Sequence, residues 1–141
     1  MPGVLIIGYG NPLRGDDGLG RRAAELLGGL AVHQLTPELA EPVSAADLVI
    51  FIDAAEGGPP GQWQCREIAA SAPAGRAFTH HVDPAALVEA AALLYGRAPR
   101  ALLFTMFGES FGYEEGLSAA VEAALNGMLD AVHQMLANSA Q

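Results

Sequence analysis

Acidic and imidazole side chains stand at three places in this 141-residue chain where the local pattern would carry them to the rim of a sheet. Asp16 and Asp17 lie in the glycine-rich loop that follows the apolar run Val4-Leu5-Ile6-Ile7. Asp53 closes a second apolar run, Leu48-Val49-Ile50-Phe51-Ile52. His80 and His81 come just before Asp83-Pro84, which reads as the cap and first residue of a helix. Two carboxylates and an imidazole converging on one crevice would form a hard, oxygen-rich site for a divalent metal, with open positions. Without a cation such acids repel one another and at least one holds its proton more tightly. The spacing leaves open which acid and which imidazole of each pair would serve.

Each residue also has an ordinary explanation. Asp16 or Asp17 could cap the following helix and suit its dipole. Asp53 could cap a turn, and a lone His at a helix start is commonly a hydrogen-bonded surface residue. Their joint placement at successive strand ends favours a site.

Competing chemistries fit less well. A dinucleotide fingerprint needs a third glycine where Leu13 stands, and a P-loop needs Gly-Lys where Gly15-Asp16 stands. The acids would also repel a pyrophosphate, so a small-nucleotide binder is disfavoured. No His-Glu-x-x-His zinc helix is present, and neither Ser110 nor Ser118 sits in a Gly-x-Ser-x-Gly elbow. Cys65 reads as a packed thiol in a strand, Ser118 as a helix cap, and His33 and His133 as surface or edge residues unconnected with the rim. Glu109 is an extra rim acid that could act as a base or a substrate contact, or simply be a solvated loop acid.

The elements that must position these residues can be read in order. A strand at Val4–Ile7 leads through the glycine loop into an amphipathic helix from Gly18 to about Leu30, with Leu19, Ala23, Leu26 and Leu27 on one face and Gly28-Gly29 ending it. A strand is expected over Ala31–Leu35, and a short helix toward Ala46 after an irregular proline-containing stretch. Asp47–Ile52 is the clearest strand. Gln62–Ile68 alternates in character, which suits an edge strand. A helix runs from Asp83-Pro84 to about Leu94 or Tyr95, a last strand over Arg100–Met106, and a final helix over Ala119 to about Leu136. Its stripe of Val121, Leu125, Met128, Leu129, Val132 and Leu136 reads as core packing. Strands alternate with helices and no repeat or linker intervenes, so the expected class is α/β, one domain over residues 1–141, with a mostly parallel sheet covered on both faces. Ligands of such sheets sit beyond the carboxyl ends of the strands.

Composition narrows the partners. Hydrophobic residues make up 51% of the chain and charged residues 16%, which argues against disorder. A net charge of -9, from sixteen acids against seven basic residues, makes nucleic acid a poor partner. The single cysteine excludes an internal disulfide and a Cys-x-x-Cys metal site. No signal-like segment opens the chain and no apolar stretch approaches a membrane span, so a cytoplasmic protein without membrane contact is expected. No large apolar stripe is left over, and a monomer forming transient complexes is the expected state.

The stretch Gly8-Tyr9-Gly10-Asn11-Pro12-Leu13-Arg14-Gly15-Asp16-Asp17-Gly18-Leu19-Gly20 closely resembles the N-terminal signature of the hydrogenase maturation endopeptidases. The resemblance continues through Val49-Ile50-Phe51-Ile52-Asp53-Ala54, Thr79-His80, Gly108-Glu109-Ser110 and Gly116-Leu117-Ser118, and so covers nearly the whole chain. The opening motif is long and fairly specific; the later ones are short. The resemblance implies a three-layer αβα sandwich around a twisted five-stranded sheet, with Gln62–Ile68 as an antiparallel edge strand. It implies an endopeptidase that removes a short C-terminal peptide from the large-subunit precursor of a nickel–iron hydrogenase after nickel insertion.

By motif, the family's three metal-binding residues fall on Asp17, Asp53 and His80, with the nickel supplied by the substrate and other divalent ions able to occupy the same donors. Asp17 is matched in preference to Asp16 because the family's ligand is the second acid of the pair. His80 is matched in preference to His81 because the spacing to Val82, Leu87 and Val88 fits better when counted from it. Asp16 and Glu109 are expected as substrate contacts. Two loops depart from the family pattern: Leu35-Thr36-Pro37-Glu38-Leu39 replaces a Gly-Gly-Thr type turn, and Gly108-Glu109-Ser110 stands where Pro-Glu-Ser is common. The same three ligands would also serve a non-proteolytic nickel carrier or docking module in hydrogenase assembly.

Overall fold

The computed structural model describes residues 3–69 and 82–139. Its elements are β1 (Val4–Tyr9), α1 (Leu19–Leu27), β2 (Leu30–Val32), α2 (Ala40–Ala45), β3 (Leu48–Ala55), β4 (Trp63–Ile68), α3 (Pro84–Tyr95), β5 (Arg100–Phe107) and α4 (Ala119–Ser139). The strands form one five-stranded sheet in the order β2-β1-β3-β5-β4. All neighbours are parallel except β4, which runs antiparallel to β5 at the edge, as the resemblance implies.

Alternation along the strands assigns the two faces. Leu48, Ile50 and Ile52 of β3, with Leu102, Phe104 and Met106 of β5, pack against Leu19 and Ala23 of α1 and the stripe Val121, Leu125, Met128, Leu129 and Val132 of α4. Val49 and Phe51, with Ile7 and Leu103, pack on the other face against Val43 of α2 and Leu87, Val88 and Ala91 of α3. The result is the expected three-layer sandwich. No helix among the described residues is long and apolar enough to cross a membrane.

Two strand boundaries and one helix face differ from the sequence reading, each for a pairing or packing reason. β2 pairs with β1 only over Leu30–Val32, because β1 stops at Tyr9 and offers no ladder beyond it. Leu35, expected in that strand, instead enters the core beside α2 and α3. β3 runs three residues beyond Ile52, because β5 keeps pairing with it as far as Ala55 and Phe107. In α1, Leu26 is 53% exposed, and the line that meets the sheet is Leu19, Gly20, Ala23 and Ala24. Gly20, Ala23 and Ala24 on that line are small because helix and strand backbones nearly touch. A Cβ on Gly8 would lie 1.8 Å from the Gly20 carbonyl oxygen, and one on Gly20 would lie 2.3 Å from that of Ile52.

Candidate functional site

The chain leaves β1 toward β2 on one side and returns to β3 on the other, so the carboxyl ends of β1 and β3 border the switch point of the sheet. Crevices form there because the connections diverge. A crevice of about 310 Å³ occupies this place, lined by Tyr9, Gly10, Asp17, His33, Gln34, Leu35, Asp53 and Val82. It brings together two of the sequence-derived ligand candidates, Asp17 and Asp53.

Asp17 is delivered by the loop after β1. Gly10 has φ +145°, a conformation that residues with a side chain rarely adopt, and a Cβ there would lie 1.9 Å from the Asp17 carbonyl oxygen. The chain therefore turns sharply and folds back on itself. The Asn11 N–H donates to Asp17 Oδ2 at 2.8 Å, and the Leu13 N–H donates to Asn11 Oδ1 at 2.9 Å. The first of these bonds holds the half-buried Asp17, the third residue of the short 3-10 turn Gly15–Gly18, which runs directly into α1.

Asp16 points elsewhere. It is fully buried, and its carboxylate accepts the backbone N–H groups of Glu109 (2.7 Å), Ser110 (3.2 Å) and Ser118 (2.7 Å). Burial by itself would raise its pKa. The N–H groups of Ser118 and Glu109, then the Ser118 hydroxyl and the Ser110 N–H, outweigh that and hold it below the ordinary carboxylate value. The residue expected as a substrate contact therefore sits inside the protein as a tie between the first loop and the loop before α4.

Asp53 lies within β3, one rung past Ile52, which is the last β3 residue in register with β1. On that side β1 ends at Tyr9, which stays paired with Val32 of β2, and the Asp53 side chain borders the crevice. The Ala54 N–H donates to Asp53 Oδ1 at 2.8 Å, and the Tyr9 hydroxyl donates to the same carboxylate. Burial raises the Asp53 pKa from the ordinary 3.8 to about 6; these two hydrogen bonds oppose the rise, and the negative charge of Asp17 adds to it. Burial, followed by the charge of Asp53, also pushes the Tyr9 hydroxyl well above its ordinary value, so Tyr9 is a donor at every physiological pH.

His80 and His81 lie outside the described residues. Val82, which begins the described chain again ahead of α3, lines the crevice. The expected helix start after it is present, with Asp83 Oδ1 accepting the Ala86 N–H at 2.7 Å and Pro84 in the first turn. Among the described residues, no group of three His, Cys, Asp or Glu side chains is gathered closely enough to hold an ion. The described donor set is two carboxylates, one of them desolvated and repelled by the other, which is a combination that a hard divalent cation neutralises.

Other residues sort by position. Glu109 is exposed and borders a separate hollow with Ser110, Glu114 and Ser118, not the crevice of Asp17 and Asp53. The Ser110 hydroxyl donates to Glu114 at 3.0 Å, and Ser118 caps α4 by accepting the Val121 N–H at 3.4 Å. Cys65 packs at the edge of the core on β4, and burial raises its pKa. His33, read from the sequence as unconnected with the rim, lines the crevice, and its carbonyl accepts the Gly10 N–H at 3.1 Å. Tyr9 was not singled out either. Its signal was available in the alternation, since Tyr9 stands two residues from Ile7 as Asp53 stands two from Phe51, and Ile7 and Phe51 are in register.

No family model matches the sequence, and no curated protein matches it. Solved structures do. The hydrogenase maturating endopeptidase HybD from E. coli matches with a TM-score of 0.76 and 25% identity, over 96% of this chain and 93% of that one. The hydrogenase 2 maturation peptidase from a Thaumarchaeota archaeon matches with a TM-score of 0.69 and 28% identity, over 94% of this chain and 97% of that one. The [NiFe] hydrogenase maturation protease HycI from Thermococcus kodakarensis shares the fold, with a TM-score of 0.73 at 22% identity over 96% and 92% of the two chains. The likeness to hydrogenase maturation endopeptidases read from the sequence is therefore borne out across nearly the full length.

Proposed function

We propose that this chain is an endopeptidase that removes a C-terminal peptide from the nickel-loaded large-subunit precursor of a nickel–iron hydrogenase. The observation that supports this most is the meeting of Asp17 and Asp53, distant in sequence, at the switch-point crevice of a fold shared with solved maturation endopeptidases. In this reading the nickel belongs to the substrate. Asp17 and Asp53, with His80, take hold of the ion where it is seated in the precursor, and cleavage follows only when it joins enzyme and substrate. An ion held there would supply Lewis-acid polarisation of the scissile carbonyl or an activated water, either worth several kcal/mol.

The chain's own residues do the positioning. The N–H of Asn11 holds Asp17, the hydroxyl of Tyr9 and the N–H of Ala54 hold Asp53, and the crevice walls orient the peptide beside them. Such placement supplies the alignment part of a rate enhancement. The encounter is transient, with this chain as a monomer.

The test is to incubate the purified protein with nickel-loaded precursor and weigh the product. Loss of a C-terminal fragment is expected, with the nickel-free precursor left intact. An unchanged precursor mass would favour the non-proteolytic carrier, and equal cutting of nickel-free precursor would contradict recognition through the metal.

A further inference from the structure

We propose that Tyr9 is a positioning residue that sets the orientation of Asp53 toward a divalent ion in the crevice, an inference that rests on the metal-recognition reading above. Three observations carry it. Ile7 pairs with Phe51 and Gly8 with Ile52, so the next rung sets Tyr9 beside Asp53. Side chains alternate along both strands, and Leu5, Ile7 and Tyr9 share the α2–α3 face of the sheet with Val49 and Phe51. The Tyr9 ring is packed against that core, while its hydroxyl reaches the crevice and donates to the Asp53 carboxylate.

A donor on a ring clamped by core packing has little freedom to follow a mobile acceptor. It selects one rotamer of the acceptor instead. Asp53 needs such selection, because it lies one rung beyond the last β1–β3 pair and the hydrogen bond from the Ala54 N–H is local to its own strand. The two bonds together leave lone pairs of the carboxylate for an ion. Hydrogen bonds of this kind, one step behind the ligand, commonly change metal affinity by about 10–100-fold when removed. A phenylalanine in place of Tyr9 would keep the ring packing and lose only the donor.

The experiment titrates Ni²⁺ alone into the full chain by calorimetry, for the wild type, Tyr9→Phe, Asp53→Asn and the double variant, with Tyr113→Phe as a control at a tyrosine that is 92% exposed. Thermal melting of each variant is followed alongside. The expected result is that Tyr9→Phe weakens Ni²⁺ binding about tenfold with its melting temperature retained. In the Asp53→Asn background the same change should have no further effect, because its route of action is already gone. A purely structural tyrosine would instead lower the melting temperature and add its effect to that of Asp53→Asn. Ni²⁺ affinity of Tyr9→Phe within twofold of the wild type would overturn the role of Tyr9 and leave the metal-recognition reading standing. A wild type that binds no Ni²⁺ would overturn both.

Discussion

The carboxylate of Asp16 accepts the Ser118 backbone N–H at 2.7 Å across 102 residues of chain, and so ties the first loop to the start of the last helix. Asp17, its immediate neighbour, faces the crevice instead. Two adjacent acids thus divide the work: one closes the frame and the other is presented at its opening.

Asp16→Ala should therefore destabilise the fold by about 3 kcal/mol or more, since three backbone N–H groups would be left without their charged acceptor. The pH dependence has a definite sign. The folded pKa is depressed, so the stabilisation is present above the unfolded value near 4 and fades as pH drops through the lower, folded value. Urea titrations at pH 7 and pH 3 should show the variant and the wild type converging at the acid end. A constant gap at both would refute the clamp.

Asp53→Asn should abolish processing yet leave the protein at least as stable as before at neutral pH. Folded Asp53 keeps its proton up to about pH 6, whereas the unfolded chain releases it near the ordinary 3.8. The native state therefore binds more protons between those values, and stability falls as pH rises through them. The displacement corresponds to at most about 3 kcal/mol above pH 6. Melting temperatures across pH 4–8 should rise for the variant relative to the wild type as pH increases; a widening loss in that direction would contradict the buried-carboxylate account.

Gly20→Ala should cost about 3 kcal/mol or more, because its methyl group would meet the backbone oxygens of Ile52 and Tyr9 at 2.3 and 2.7 Å. Those atoms belong to β3 and β1 themselves and cannot rotate away. Circular dichroism with thermal melting measures the loss; a melting point within a degree or two of wild type would mean that α1 does not press on the sheet as described.

His33→Ala tests a residue in the wall of the crevice that holds the acids. Its side chain is exposed while its carbonyl is held by Gly10, so the fold should be unaffected. Processing should slow through a KM raised severalfold, with kcat little changed, as expected for a contact made equally in the ground and transition states. Unaltered kinetics would return His33 to an ordinary surface position.

Much of this was legible in the linear chain because it depends on local pattern. Apolar runs of strand length, the helical stripe of α4 and the Asp83-Pro84 start each reflect a period or a cap that neighbours in sequence suffice to specify. The resemblance supplied the antiparallel edge and pointed to Asp17 and Asp53, and the fold brings those two to one crevice. The His80 assignment falls on residues outside those described.

Tertiary structure decided what sequence neighbours cannot encode. Adjacent Asp16 and Asp17 carry the same side chain in the same loop, and only the approach of the Glu109–Ser118 segment, arriving from the far end of the chain, turns one into an internal acceptor. The length of β3 was set by β5, the shortness of β2 by where β1 stops, and the nearness of Tyr9 to Asp53 by the register of β1 on β3. Each of these follows from a partner that the chain reaches only by folding, and hydrogen bonds and excluded volume act on whatever is near in space.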